Sequence, residues 1–532
     1  MKVRGLETGD GSGPRLLRDP LLYGNALIAV AIYAPFFRYV EWLGDEGVVL
    51  HAAVRILGGD ALYRDFFEFL PPGSFLIVAA WMKLFGVGFA SVRVLAVCVM
   101  AGIAALLYAA ARLSSGNRVL ASLLAIAWAA FSDDVWMVIN HHWFTTAASM
   151  ASTVALLLAL DCTPRRGAAF AAGLFAGTAA MVTQTRGALL CVAVLAVLLT
   201  LPRARAPLVS AIAGMTLVPL AMILYLAAWS TLSAALDDTI LYPARHYAGI
   251  QAVPFGHWAT TWADATSVAF FPVTFVLAGA ALALRRGVIW REVRFRASLA
   301  LAIVGLLGTY PRPDITHISF TAPLACPLFA LLATDLLGRL GRRARAAGGA
   351  LLIGLWLAGV GIAIERRMEV VAGPLHAVPT ARGLVVRRAN SWTDDFAALV
   401  AQIDGVSPGD AFFFYPYSPM LPYLTARRHV GALDVMTPGY TTAEQFHETC
   451  VRVVSQAQWV VIDRMWSDRR MLRSAFPAMR DPDPPEKRGF EAALRLAFNK
   501  AVHTSTIFEL RQRAENASVA LCDTIRVSPG SG

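Results

Sequence analysis

Apolar residues gather in long unbroken runs along most of this chain, and polar residues are confined to the gaps between them. Runs near residues 21–40, 88–111, 118–131, 143–160, 167–183, 188–201, 207–229, 266–284, 297–309, 318–337 and 347–364 stand out. Set against the roughly 20 residues a helix needs to cross a bilayer, they predict about eleven transmembrane helices. Between the first two runs the pattern changes. "VVLHAAVRIL", after Asp45-Glu46-Gly47, has apolar positions at helical spacing and predicts a helix lying on the membrane interface. After the break at Pro71-Pro72, "SFLIVAAWMKLFG" is apolar but short, with Lys83 inside, and predicts a second interfacial or re-entrant helix.

From about residue 391 short alternations replace the runs. "SWTDDFAALVAQID" predicts a helix, "DAFFFYP" and "QWVVIDRMW" buried strands, "FEAALRLAFNKAV" a helix and "TSTIFELRQR" an edge strand. Strands alternating with helices predict a small α/β domain. The expected fold is therefore a polytopic α-helical membrane protein with a C-terminal α/β domain outside the cytoplasm. Its segments are a cytoplasmic stretch 1–20, a transmembrane region 21–364 and an extracytoplasmic domain 365–532.

Composition sharpens this division. The chain is 57% hydrophobic and 16% charged, against about 25% charged in soluble domains. Residues 1–364 hold 27 Lys/Arg and 18 Asp/Glu, and residues 365–532 hold 20 and 18, so the last third has a soluble domain's charge density. The net charge of +11 does not point to nucleic acid, because the excess lies between apolar runs, where it reports topology. Nineteen of the 27 basic residues fall in one alternating set of connections, from Lys2 to "GRLGRRARA" at Gly338. Basic excess marks the cytoplasmic side, which places the N-terminus inside and, with an odd number of spans, the tail outside. No cleavable signal peptide, internal repeat or extended low-complexity tract is evident. The expected location is the plasma (inner) membrane, multi-pass.

The outward connections hold 12 of the 18 acidic residues of the membrane region, and carboxylates retained beside lipid usually serve a site. Asp45 is the candidate general base, since a carboxylate just outside a span can take a proton from an acceptor hydroxyl. Helix-start capping by Asp45 and Glu46 is the competing reading. On the same face "TQTRG" supplies Arg186, "LYPARHYAG" supplies Tyr242, Arg245, His246 and Tyr247, and "YPRPDITHIS" supplies Arg312, Asp314 and His317. Guanidinium groups suit phosphate, and aromatic rings suit sugar faces. "FSDDVWMVINHHWFTT" offers Asp133, Asp134, His141 and His142. A divalent metal there is open, but adjacent histidines on one helix point about 100° apart, so no metal or other cofactor is assigned. Acceptor binding or plain interfacial polarity is the preferred reading of the two histidines.

The stretch 44–97 resembles the first external loop of GT-C glycosyltransferases. The resemblance is to the branch of protein O-mannosyltransferases, lipid A aminoarabinose transferases and rhizobial galacturonosyltransferases. It rests on Asp45-Glu46, then Gly59, Tyr63, Asp65 and Phe66, Pro71-Pro72, Phe85-Gly86 and Arg93. It implies a polyprenyl-phosphate sugar donor, a lipid, glycan or protein acceptor, and inversion in a single displacement. By the same resemblance Asp45 is the base, and Glu46 orients it or binds the acceptor. Arg186, Arg245, Arg312 and His317 are then expected to hold the donor phosphate. Tyr63, Asp65, His141, His142, Tyr242, His246, Tyr247 and Asp314 are expected on the acceptor or sugar. Thr183 stands where the family's "K-Q-x-x-G" segment has Lys. The alternative is a transporter or flippase of a lipid-linked glycan, which usually shows repeated halves and charges at mid-membrane. Cys450 and Cys522 both fall in the exported tail, where a disulfide is open.

Overall fold

A computed structural model describes residues 16–132, 138–160, 166–285 and 287–525. Each of the eleven apolar runs is helical. They form Pro20–Tyr33, Phe89–Ser115, Arg118–Phe131, His141–Ala159, Arg166–Ala180, Gln184–Leu199, Arg205–Ala228, Trp262–Leu284, Val293–Leu307, Ile315–Arg339 and Arg342–Ala372. Five of these are long and apolar enough to cross a membrane by length and composition: those starting at Phe89, Arg205, Trp262, Ile315 and Arg342. The chain is a polytopic α-helical membrane protein. Exposed Leu217, Leu220 and Leu224 on one helix, and Leu351, Leu352 and Leu355 on another, present hydrocarbon outward, as lipid-facing helices do.

Small residues let the helices approach closely. On Arg166–Ala180, a methyl at Gly173 would lie 1.9 Å from the Ala211 carbonyl oxygen, and one at Gly177 would lie 2.3 Å from that of Met215. Glycines four apart give a groove into which the helix Arg205–Ala228 packs backbone to backbone.

The two short helices of the first external connection are present as Asp45–Leu57 and Gly73–Phe85. The first does not lie on a lipid surface: Glu46 through Ala53 are all buried. The tail covers it, and a methyl at Gly47 would sit 2.1 Å from the Met420 amide nitrogen. Met420 N–H donates to the Leu43 carbonyl (3.0 Å) and Phe67 N–H to that of Ala432 (2.9 Å).

The helix Arg342–Ala372 runs past residue 365. A hairpin follows, β1 (Leu375–Thr380) and β2 (Gly383–Arg388), and Val40 N–H bonds the Val386 carbonyl (2.9 Å), tying hairpin to membrane region. The main sheet contains β3 (Phe412–Tyr415), β4 (Trp459–Asp463), β5 (Lys500–Thr504) and β6 (Phe508–Gln512), in the order β3-β4-β6-β5. β3 and β4 are parallel, and the other pairs antiparallel. The helix expected over 490–502 ends at Ala497, so that Lys500–Thr504 forms the edge strand and Phe508–Gln512 pairs on both sides. Cys450 and Cys522 form a disulfide that ties the helix Ala443–Gln456 to the turn Val519–Thr524.

Candidate active site

The carboxyl ends of the parallel strands β3 and β4 face the helix Asp45–Leu57. Open α/β sheets bind ligands beyond the carboxyl ends of their strands, and here those ends deliver side chains to the membrane region. After β3, Tyr417 donates its hydroxyl hydrogen bond to Asp45. After β4, Trp466 packs against Tyr417 (5.0 Å between ring centroids) and Trp42 (5.6 Å). Between the layers lies a cavity of about 500 Å³.

Asp45 is the first residue of its helix and half-buried, since it faces this cavity. Burial raises the pKa of its carboxyl, and the Tyr417 hydrogen bond, His317 and Arg312 only partly oppose that. Across the cavity, Arg312 donates through Nε to Asp314 (2.7 Å) and through Nη1 to Gln251 (3.0 Å), and stacks over Trp258 at 4.8 Å. Asp314 caps the next helix, accepting from the His317 backbone N–H (2.9 Å) and pairing with its Nδ1 (2.7 Å). Burial works to raise the Asp314 pKa, but His317 and Arg312 outweigh it and hold it at about 2. Asp314 therefore fixes the side chains of Arg312 and His317, and their remaining edges line the cavity.

His141, His142 and Tyr247 also line it. Arg186 is buried behind them, donating to the Gly308 carbonyl (2.8 Å) and to His142 Nδ1 (3.0 Å). A guanidinium can only donate, so His142 Nδ1 is the acceptor and its ring proton sits on Nε2. With Arg186 this close, the pair does not resemble a metal site. Among the described residues no group of three His, Cys, Asp or Glu is placed to hold a metal ion; Asp133 and Asp134 lie outside them.

Several expected site residues lie elsewhere. Glu46 is wholly buried, accepting from Arg93 (2.7 Å) and the Ile139 N–H (3.1 Å). It braces the loop and does not touch Asp45's cavity. Tyr63 donates to the Leu70 carbonyl (2.6 Å), and Tyr242 packs on Phe67 (4.7 Å). His246 lies against Tyr242, while Arg245 is exposed. Asp65 pairs with Arg64 (2.9 Å) and borders a different cavity. Gln184, in the segment where Thr183 replaces Lys, donates to the carbonyls of Phe69 (3.1 Å) and Thr239 (3.0 Å).

Sequence reading missed Tyr417, Trp42, Trp258 and Tyr440, which border the cavity together with Glu68. Glu68 is buried, which raises its carboxyl well above the usual range, and the nearby charges of Asp434 and Asp238 push it further. The density of aromatics in "FFFYPYSP", ending a predicted strand, was the available signal for Tyr417.

No family model and no curated protein matches the sequence. Solved structures do. ArnT from Cupriavidus metallidurans bound to undecaprenyl phosphate aligns over 96% of this chain and 99% of its own, with 13% identity and a TM-score of 0.57. Its apo state aligns over 94% and 98%, with 12% identity and a TM-score of 0.54. The arabinofuranosyltransferase AftD from Mycobacteria aligns over 96% of this chain and 40% of its own, with 14% identity and a TM-score of 0.50. The chain has the GT-C fold. End-to-end alignment with ArnT includes the tail, so in both chains the GT-C membrane region and the tail align together.

Proposed function

We propose that this chain is an integral membrane glycosyltransferase that uses a lipid-linked sugar donor. In the finer reading, the donor is a polyprenyl-phosphate sugar and the acceptor is reached on the periplasmic or extracellular face. The observation that carries this is a carboxylate, Asp45, facing Arg312 and His317 across one cavity, in a fold shared end to end with a structure holding undecaprenyl phosphate.

The chemistry follows from that arrangement. An acceptor hydroxyl beside Asp45 gives its proton to the carboxylate as its oxygen attacks the anomeric carbon. The bond from that carbon to the phosphate oxygen breaks, and polyprenyl phosphate leaves with the electron pair. One displacement inverts the anomeric centre. The leaving group is already an acid anion, so it needs charge stabilisation rather than a proton, and Arg312 and His317 stand ready, with Arg186 behind. The raised Asp45 pKa makes it a stronger base than an exposed carboxylate. Trp42, Trp258, Tyr417 and Tyr440 offer flat faces to a sugar ring.

Mass spectrometry of purified protein incubated with a panel of polyprenyl-phosphate sugars and envelope extract tests this. A new glycoside, or slow release of polyprenyl phosphate, is expected with one donor. Translocation of a lipid-linked glycan without any new glycosidic bond would replace the enzyme by a transporter.

A further inference from the structure

A second cavity, of about 580 Å³, opens toward the other end of the helix Asp45–Leu57, bordered by His51 and Arg55. Its charge is unbalanced. The two aspartates on its rim are already paired, Asp60 with Arg55 (2.7 Å) and Asp65 with Arg64 (2.9 Å). Asp434 is taken by His51 at 2.8 Å. Four guanidinium groups remain: Arg382 from the β1–β2 turn, Arg427 and Arg428 from the segment before His429, and Arg452 from the helix Ala443–Gln456. Among the described residues, Arg382 and Arg427 donate only to backbone carbonyls, of Tyr423 and of Ile403, Val406 and Ser407 respectively. Buried Arg452 Nε makes no hydrogen bond, and among the described residues the Arg428 side chain has neither a hydrogen bond nor an ion pair, its carbonyl alone accepting from Phe412 N–H (2.8 Å). Four like charges around one cavity, from three segments, repel one another unless an anion joins them. Burial, and then the charge of Arg55, push the Arg452 pKa down; Asp60 and Asp65 partly oppose this, and Arg428 adds to it.

The cavity's depth identifies the anion's source. Tyr423 donates to the Val87 carbonyl (2.9 Å), and Phe89 N–H, the first of the span Phe89–Ser115, donates to the Arg382 carbonyl (2.8 Å). Just before that span, Leu84 and Phe85 are 75% and 60% exposed, apolar side chains at the edge of the hydrocarbon layer. Arg382 is therefore tied to the first turn of a helix long and apolar enough to cross a membrane, the level at which lipid headgroups are expected. Guanidinium groups bind phosphate in bidentate fashion.

We propose that this second cavity binds the phosphate group of a membrane lipid headgroup, at a site separate from the Asp45 cavity. The inference does not depend on the transferase reading, because it concerns binding alone. Full-length protein in phosphatidylcholine nanodiscs is titrated with fluorescent phosphatidic acid, with inorganic pyrophosphate as a soluble competitor. Wild type is expected to bind phosphatidic acid saturably. Arg428→Ala/Arg452→Ala should bind at least about tenfold more weakly, the loss of two charge-assisted contacts. Arg428→Glu, at an exposed position with no bond to lose, should weaken binding similarly and keep the wild-type thermal transition. Equal affinity in wild type and both variants would overturn the proposal. Pyrophosphate binding as tightly as the lipid would overturn the membrane source and make the ligand a soluble phosphate.

Discussion

Asp45 and Glu46 are neighbours in one helical turn, yet the regions they enter differ in kind. Glu46 points into packed protein, where Arg93 and the Ile139 amide satisfy it. Asp45 points into a cavity, where the Tyr417 hydroxyl donates to it and Arg312 and His317 stand across the gap. A buried carboxylate with a fixed counter-ion orders a loop. One held by a neutral hydroxyl, with its pKa raised, is poised to exchange a proton. A motif of two acids therefore divides into a scaffold and a candidate base, and the division is made by what each side chain meets.

The largest effect expected on this contrast is on turnover. Asp45→Asn should lower transfer by about 10²–10⁴-fold, the usual range for a general base, measured as product per folded enzyme. Its stability should move the other way. Because burial raises the Asp45 pKa, ionising it costs folding free energy as pH rises above the ordinary carboxylate range. The thermal midpoint of Asp45→Asn should therefore equal or exceed wild type at pH 8, and the gap should close as pH falls.

Glu46→Gln should show the reverse profile. Removing one charge of a buried pair leaves Arg93 uncompensated, which costs about 3 kcal/mol, the low end for such breaks because the amide still accepts from Ile139. Denaturant titration should show the loss, while the folded fraction keeps its transfer rate. Arg312→Ala should weaken donor use by about 10–100-fold through lost charge on the leaving phosphate, and Arg312→Lys should recover part of it because a point charge lacks the planar fork. The smallest change is expected from Tyr417→Phe. Its hydroxyl lowers the Asp45 pKa, so removing it should move the acid limb of the pH–rate profile upward, with activity still rising as pH rises. The loss at neutral pH should stay below about tenfold. An unmoved limb would detach Tyr417 from the base.

The apolar runs were legible because a helix in lipid must satisfy its own backbone and clothe it in hydrocarbon, and length alone then marks it. β3 and β4 were legible as dense aromatic and β-branched clusters. β5 was not: "KAVHT" is exposed apart from His503, and it follows closely on the amphipathic helix that ends at Ala497. Asp45 was legible through its position, but its partner was not, since Tyr417 lies 372 residues away and reaches it only when the tail folds over the loop. Arg186 and His142 are joined in the same way, across 44 residues and two helices. Glu46 was expected beside Asp45, orienting it or binding the acceptor, and its packing against Arg93 takes it out of the cavity.

Single-turnover transfer from a polyprenyl-phosphate sugar, run side by side with Asp45→Asn and Glu46→Gln and normalised to folded protein, tests the division most directly. Near-complete loss is expected in the first and a near wild-type rate in the second. Full activity in Asp45→Asn, or a loss in folded Glu46→Gln as deep as that in Asp45→Asn, would contradict it.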